Sequence, residues 1–161
     1  MLRPFALIAL TALLAACQPS SEPEVRRARP GAPVLLIPGQ VEDDASIRLG
    51  AGTIRSNRAL IEAARSAHPG AILLYKPHPD VEAGLRPGAL ADSDRLVDLV
   101  LTGTDALSAL ALADRVWTIT SGLGFEALLR GIPVTTLGAP FYAGWGLTED
   151  LGPIPPRRTA R

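Results

Sequence analysis

The sequence predicts an α/β domain with a single doubly wound, mostly parallel sheet of about five strands. Short apolar runs alternate with segments of helical periodicity, a pattern typical of parallel sheets with right-handed crossovers. Polar residues follow three of these runs, where open α/β sheets bind their ligands. The predicted strands are 33–37, 71–75, 96–101, 115–120 and 133–137.

Three segments have a helical pattern: 57–66, 105–113 and 123–130. In the first, Leu60, Ile61 and Ala64 fall on one face. The first helix should end at His68, because the residue before a proline is disfavoured in the α region. We therefore interpret His68 as a helix-end residue. Residues 80–90, which contain two glycines and a proline, are predicted to form a loop.

Composition limits the class of protein. The chain has 161 residues, enough for one domain with a sizeable core, and 47% are apolar but only 4% aromatic. Sixteen basic and sixteen acidic residues cancel, and no basic block is interleaved with aromatic residues, so nucleic acid is not an expected partner. The single cysteine excludes an internal disulfide and a cysteine-rich metal site.

The N-terminal segment 1–17 resembles a bacterial lipoprotein signal. One arginine precedes the apolar stretch 5–14, and Leu14-Ala15-Ala16-Cys17 matches the cleavage pattern in which the cysteine receives the lipid. The alternatives are a buried amphipathic helix and the start of an internal fragment that mimics a signal. Residues 18–33, rich in Pro, Ser, Glu and Arg, are predicted to be a flexible tether. The domain then occupies 34–150, and 151–161 form a loose tail.

A compact acidic group, Glu42, Asp43 and Asp44, follows the first strand after a Pro-Gly turn. Three interpretations remain open for it. The carboxylates are solvated loop charges or anions near a helix N-terminus, ligands of a hard cation such as Mg²⁺, or a nucleophile or base with neighbours that tune its pKa.

The end of the second strand carries Lys76 and His78. Two flanking prolines restrict the backbone of His78 and fix the direction of its imidazole. A rigid imidazole suits a residue that donates to an anion, and Lys76 lies on the same side of the extended chain. Because the acidic group follows the neighbouring strand, we favour a functional interpretation over a turn histidine beside a surface lysine.

The end of the fourth strand carries Ser121 and Gly122, directly before a helix. The serine hydroxyl and the free N–H groups there can bind an anion, and Ser121 can equally be an ordinary N-cap. Glu126 in that helix is suited to ribose hydroxyls or to complementing the helix dipole. Neither a Walker loop nor a complete G-x-G-x-x-G occurs, which argues against nucleoside triphosphates and dinucleotides.

Four motifs in order resemble the capsular polysaccharide biosynthesis/export family, whose KpsC-type members are β-Kdo glycosyltransferases. The motifs cover most of the chain from residue 34 to 150, and they are Gln40-Val41-Glu42-Asp43, Lys76-Pro77-His78-Pro79-Asp80, Thr120-Ser121 with Gly124-Phe125-Glu126-Ala127-Leu128, and Pro140-Phe141-Tyr142-Ala143-Gly144-Trp145-Gly146. The resemblance implies one Rossmann-like half of a two-domain GT-B enzyme, as a partial chain.

The resemblance also implies roles. Asp43 matches the carboxylate that attacks the anomeric carbon, Glu42 is its motif partner, and His78 matches the histidine on the phosphate of the donor CMP-Kdo. Ser121 and Glu126 match positions that hold the nucleotide. The predicted catalytic residues are Asp43, Glu42 and His78, and the predicted donor-binding residues are Gln40, Lys76, His78, Ser121, Gly122 and Glu126. The reaction is expected to need no metal and no cofactor beyond the donor.

The implied function is the donor-binding, catalytic half of a β-Kdo transferase. Expected partners are the nucleotide sugar, a lipid-linked oligo-Kdo acceptor, capsule-assembly proteins and the membrane surface. The resemblance implies the cytoplasmic face of the inner membrane, whereas lipidation of Cys17 implies a periplasm-facing lipoprotein. Two alternatives are a non-catalytic lipoprotein that binds a sugar, a nucleotide or a capsule-machinery partner, and a generic α/β domain that binds Mg²⁺.

Overall fold

The computed structural model describes residues 29–90 and 96–158. The predicted signal segment with Cys17 and most of the tether therefore lie outside the described residues. Within the two described ranges, no helix is both long enough and apolar enough to cross a membrane.

The centre of the domain is one sheet of six parallel strands in the order β3-β2-β1-β4-β5-β6. This order confirms the predicted doubly wound fold. The chain runs outward from β1 in one direction, then returns to place β4 against the other side of β1, so the order reverses between β1 and β4. The strands are β1 Val34–Pro38, β2 Ile72–Lys76, β3 Leu99–Val100, β4 Arg115–Thr118, β5 Val134–Thr136 and β6 Glu149–Asp150.

Apolar alternation along the strands forms a core on each face of the sheet. Leu35 and Ile37 of β1 point to one face, and Val34 and Leu36 point to the other. All four side chains are at most 1% exposed, as expected for a strand covered on both sides.

Five helices follow the strands in the described ranges: α1 Ala45–Gly50, α2 Asn57–Ala67, α3 Pro79–Glu82, α4 Ala106–Ala111 and α5 Gly122–Leu129. The first core includes apolar residues of α1 and α2, and the second includes residues of α4 and α5. Each helix has a polar N-cap whose side chain accepts a backbone N–H, which fixes where the helix begins.

The structure contains three elements that the sequence pattern does not predict. The segment predicted as a loop begins with the short helix α3, α1 follows the acidic group, and β6 adds a sixth strand. The predicted strand 96–101 is only two residues long, at the edge of the sheet.

The predicted tail is hydrogen-bonded to the domain as far as residue 158. The backbone N–H groups of Leu151 and Gly152 donate to the carbonyl of Thr136. The guanidinium of Arg158 donates to the carbonyls of Ala139 and Pro140. These bonds hold the segment against the end of β5.

Candidate functional site

Two adjoining cavities lie at the carboxyl edge of the sheet, around the point where the strand order reverses. The first cavity has a volume of about 340 Å³, and its wall includes Gln40, Asp44, Asp80, Arg86 and Thr120. The second cavity has a volume of about 550 Å³, and its wall includes Lys76, Glu82, Asp105 and Glu126. Three residues, His78, Ser121 and Gly122, belong to both walls.

Gln40 connects the ends of β1 and β4. Its side-chain amide donates to Thr120 Oγ1 at 2.8 Å, and its Oε1 accepts the Thr120 N–H at 3.0 Å. The side chain is only 7% exposed. Gln40 therefore lines the first cavity with an amide whose hydrogen bonds already go to the protein, and these bonds hold two loops together.

Asn57 fixes the loop that follows β1, a role that the sequence analysis did not detect. Its Oδ1 accepts the backbone N–H of Gln40 at 2.8 Å, and its Nδ2 donates to the Gln40 carbonyl at 2.8 Å and the Gly88 carbonyl at 2.9 Å. Its own N–H donates to Glu42 Oε1 at 2.7 Å. The side chain is 1% exposed, so these bonds are protected from water.

The three carboxylates of the acidic group have different partners and do not converge. Glu42 accepts from the first turn of α2 through the N–H of Asn57. Asp43 pairs with the Arg86 guanidinium at 2.7 Å. Asp44 caps α1, and hydrogen bonds from Ser46 lower the pKa of its carboxyl group.

Because each carboxylate has its own partner in the protein, the arrangement does not favour an interpretation in which all three share one Mg²⁺ ion. No group of three or more His, Cys, Asp or Glu side chains in the described part of the chain is placed to hold a metal. Of the three carboxylates, Asp44 lies in the wall of the first cavity. Asp43 is connected to this wall by its ion pair with Arg86, which lies in the wall.

Lys76 is a buried cation at the second cavity. It is 8% exposed, and its Nζ donates to the Pro77 carbonyl at 3.4 Å. Among the described residues, no carboxylate forms an ion pair with it. Removing an ammonium group from water is costly unless an anion compensates. An anionic ligand in the second cavity would supply that compensation.

His78 caps α3 and lies between the two cavities. Its Nδ1 accepts the backbone N–H of Asp80 at 3.2 Å, so the ring proton in this conformation is on Nε2. With Nδ1 engaged in this bond, Nε2 is the ring nitrogen that can donate a hydrogen bond to a ligand. The sequence predicts an imidazole with a fixed direction, and the hydrogen bond by which His78 caps α3 fixes that direction in the structure.

The N-terminus of α5 completes the wall shared by the cavities. Ser121 is the N-cap, and its Oγ accepts the Leu123 N–H at 3.2 Å. The carbonyl of Ser121 accepts from the Tyr142 hydroxyl at 2.6 Å, which holds the turn in place. A Cβ on Gly122 would meet no atom within 4 Å, so the backbone at the start of the helix is open to a ligand.

Glu126 of α5 also borders the second cavity. It is about half exposed and lies 3.6 Å from Arg130 on the next turn of α5. In the fourth motif, Tyr142 is buried at 3% exposure, whereas Trp145 is 48% exposed.

The structure thus brings most of the predicted donor residues to one edge. Lys76, His78 and Gly122 offer donors to an anion, while carboxylates lie farther out on both sides. Two contributors, Asn57 and Arg86, were not predicted. Arg86 carries no signal in its local sequence, because its importance comes from Asp43, 43 residues earlier.

A family model described as "Capsule polysaccharide biosynthesis protein" matches residues 14–161. The chain belongs to this family. The match confirms the resemblance drawn from the four motifs, and it covers all the residues of the two cavities.

Curated relatives in this family are longer than the chain. The capsule polysaccharide modification protein LipA of Neisseria meningitidis serogroups A and B is 52% identical over 130 residues, which are 80% of this chain and 18% of LipA. The lipopolysaccharide-processing protein LpsZ of Rhizobium meliloti is 46% identical over 129 residues, 79% of this chain and 29% of LpsZ.

Two solved structures share the fold. The β-Kdo 2,7 transferase of Thermosulfurimonas dismutans KpsC superposes with a TM-score of 0.71 at 39% identity, covering 85% of this chain and 45% of that one. The β-Kdo 2,4 transferase of the same KpsC gives a TM-score of 0.72 at 36% identity, covering 82% and 41%. The chain thus spans less than half of either structure.

Proposed function

We propose that this domain is the donor-binding and catalytic half of a β-Kdo transferase that uses CMP-Kdo in capsule polysaccharide synthesis. The observation that carries the proposal is the buried Lys76 with no carboxylate partner in the described chain, beside His78 and the open start of α5. These groups form a site for one phosphate. The similarity to the two KpsC transferases supports a sugar nucleotide as its source.

The site has the electrostatics that loss of CMP requires. Negative charge builds up on the phosphate as its bond to the sugar breaks, and fixed donors aimed at that charge lower the barrier. Lys76 contributes a full charge, His78 one N–H, and α5 its dipole and the Gly122 N–H. A nucleoside monophosphate is a moderately charged leaving group, so we expect these donors to stabilise it without a metal.

Asp43 is the proposed nucleophile. Its carboxylate oxygen forms a bond to the anomeric carbon as the bond to the phosphate breaks and CMP leaves. An acceptor hydroxyl then displaces Asp43 and gives its proton to a general base. Two displacements retain the β-configuration, which is why a carboxylate nucleophile is needed.

Calorimetry with CMP tests the nucleotide site. We expect binding that EDTA does not change, and Lys76→Met and His78→Asn should each weaken it about tenfold, in line with the loss of one charge-assisted hydrogen bond. His78→Asn keeps an oxygen acceptor for the Asp80 N–H, so α3 stays capped. Absence of CMP binding by the parent chain would overturn the proposal.

Turnover separates the enzyme from the non-catalytic alternative. With CMP-Kdo and an oligo-Kdo acceptor, transfer should disappear in Asp43→Asn while CMP affinity stays nearly the same. If the parent chain binds CMP but never transfers Kdo, the binding function is the better description. If Asp43→Asn unfolds the domain, the carboxylate is structural and the assignment is wrong.

A further inference from the structure

The two cavities form compartments with a common wall, which suggests how a sugar nucleotide lies across the site. This step rests on the proposed function. A CMP-sugar has a single phosphate between its nucleoside and its sugar. If the phosphate binds at the common wall of His78, Ser121 and Gly122, nucleoside and sugar must occupy different cavities.

The acidic loop decides which cavity holds the sugar. Asp44 lies in the wall of the first cavity, and Asp43 is joined to that wall through Arg86. A nucleophile from this loop can reach the anomeric carbon only if the sugar is in the first cavity. The larger second cavity then holds the nucleoside beside Lys76 and Glu126.

Arg86 is the sole lysine or arginine in the described wall of the first cavity. One of its terminal nitrogens donates to Asp43 Oδ1 at 2.7 Å. A guanidinium has five N–H donors, and the bond to Asp43 is the one hydrogen bond of this side chain among the described residues, although the charges of Asp44 and Asp80 also act on it. Donors therefore remain for a ligand.

The loop that carries Arg86 is fixed on both sides. The Arg86 N–H donates to the Asp80 carbonyl at 3.2 Å, and the next carbonyl, of Pro87, accepts the Glu42 N–H at 3.3 Å. Gly88 follows with φ +130°, and a Cβ there would lie 2.7 Å from the Gln40 carbonyl oxygen, so only glycine fits. The backbone that carries the Arg86 guanidinium is therefore held in one conformation by these contacts.

We propose that Arg86 binds the carboxylate of the donor sugar and selects for ulosonic acids over neutral sugars. In Kdo the carboxylate is attached to the anomeric carbon itself. A planar guanidinium binds a carboxylate through two parallel hydrogen bonds, which fixes orientation as well as charge. Because Asp43 shares the same guanidinium, Arg86 would bring the nucleophile and the anomeric carbon side by side.

Saturation-transfer NMR on the CMP-loaded chain tests the proposal with two probes, Kdo and its carboxyl-reduced alcohol. We expect the parent to bind Kdo at least about tenfold more tightly than the alcohol, the order expected for a charge-assisted pair. Arg86→Gln should lose this preference. Its CMP affinity should stay within about twofold of the parent's, which is less than the loss of one hydrogen bond would cause. Arg86→Lys, which keeps the charge but not the fork, should recover only part of it.

Two control variants sharpen the result. Arg58→Gln removes an exposed arginine that pairs with Glu62 on α2, outside both cavity walls, and should leave both sugars unaffected. Asp43→Asn should retain the preference for Kdo, because Arg86 is still present.

Equal binding of the two sugars by the parent, or no Kdo binding at all, would overturn the proposed role of Arg86. If the parent still binds CMP in that case, the proposed function stands. Loss of the preference in Asp43→Asn would also overturn it, since Arg86 would then act only through Asp43. Failure of the parent to bind CMP would overturn both proposals.

Discussion

At the scale of single residues, the shape of the site depends on a side chain that no ligand is expected to touch. Asn57 pairs with the backbone of Gln40 as a neighbouring strand would, although it belongs to a helix. It also reaches the Gly88 carbonyl and so joins the loop of the acidic group to the loop of Arg86. The geometry of both loops follows from this one amide.

Replacing Asn57 should therefore destabilise the domain more than an ordinary helix-start substitution. Asn57→Ala removes three side-chain hydrogen bonds, two buried and one partly buried, and we expect a loss of about 2–4 kcal/mol in the free energy of unfolding. Urea denaturation measures it. Ser56→Ala, which removes only the N-cap bond to the Ala59 N–H, is the matched control at about 1 kcal/mol. Equal losses in the two variants would show that Asn57 is only a helix-start residue.

The predicted site residues that line the two cavities share one property. Lys76, His78 and Ser121 lie at or shortly after the end of an apolar strand, and parallel strands bring their carboxyl ends to the same edge. Asn57 and Arg86 were missed because their contacts span 17 and 43 residues between loops. No periodicity in the sequence encodes such contacts. The role of Asp43 stays a prediction.

At the scale of elements, α5 must approach the segment after β5 closely to place its N-terminus. Gly124 permits this, because a Cβ there would lie 2.2 Å from the Tyr142 hydroxyl oxygen and 3.3 Å from Thr118 Cγ2. Tyr142 is buried and its hydroxyl is bound to the Ser121 carbonyl, so it cannot move aside without losing that bond.

Gly124→Ala should consequently lower stability, although alanine favours helices. We expect a loss of about 1–3 kcal/mol by urea denaturation, the usual cost of overpacking. Gly122→Ala in the same helix meets no atom within 4 Å and should be neutral or slightly stabilising. Adding Tyr142→Phe should recover part of the loss, because it removes the nearest atom. If the two glycine variants behave alike, the close approach is not constraining.

The edge of the sheet at β3 depends on Asp98. Its carboxylate accepts the Leu73 N–H at 2.8 Å, pairs with Arg65 at 2.7 Å and also contacts Arg29. Burial opposes ionisation, but the hydrogen bonds from Leu73 and Arg65 and the charges of both arginines outweigh it and lower the pKa of Asp98.

A carboxyl group whose pKa is lower in the folded state stabilises the fold above its unfolded pKa. This contribution is present above about pH 4, the ordinary range for aspartate, and is lost as the pH falls through the lower folded value. We expect Asp98→Asn to reduce stability at pH 7 and to lessen its decline at acidic pH. Urea midpoints across pH measure this, with the exposed Glu62→Gln as control. Parallel pH profiles for Asp98→Asn and the parent would refute the prediction.

The elements that sequence patterns missed are short. β6 consists of Glu149 and Asp150, and its charged side chains bind Thr135 and Thr136 of β5 across the strands. Two acidic residues carry no apolar alternation, so no strand could be inferred. For α3 the proline at its first position, Pro79, was interpreted only as restricting the backbone of His78, although proline is favoured at the start of a helix.

At the scale of the whole molecule, the chain carries the candidate site at the switch point of its sheet but spans less than half of the solved transferases that it resembles. The proposed donor-binding groups lie at the ends of β1, β2 and β4 and in the elements that follow them. The proposed acceptor hydroxyl and its base have no counterpart among them. The domain can therefore be tested for nucleotide binding separately from transfer.

The location of the whole chain is the last prediction, and two properties of the sequence point to different sides of the membrane. The Leu14-Ala15-Ala16-Cys17 pattern suits lipoprotein processing, whereas the proposed donor is a cytosolic nucleotide sugar. We expect membrane association, because the apolar segment 5–14 and a lipid-linked acceptor both favour it, and we expect the cytoplasmic face. Cells fed a clickable palmitate analogue, expressing the parent or Cys17→Ser, measure this directly. Both chains should sediment with membranes. Both should also carry only background palmitate label, and because Cys17 is the sole cysteine, Cys17→Ser removes the one thiol that could be lipidated. Label that appears only with Cys17 would place the domain on the far side, where the proposed reaction would have no donor.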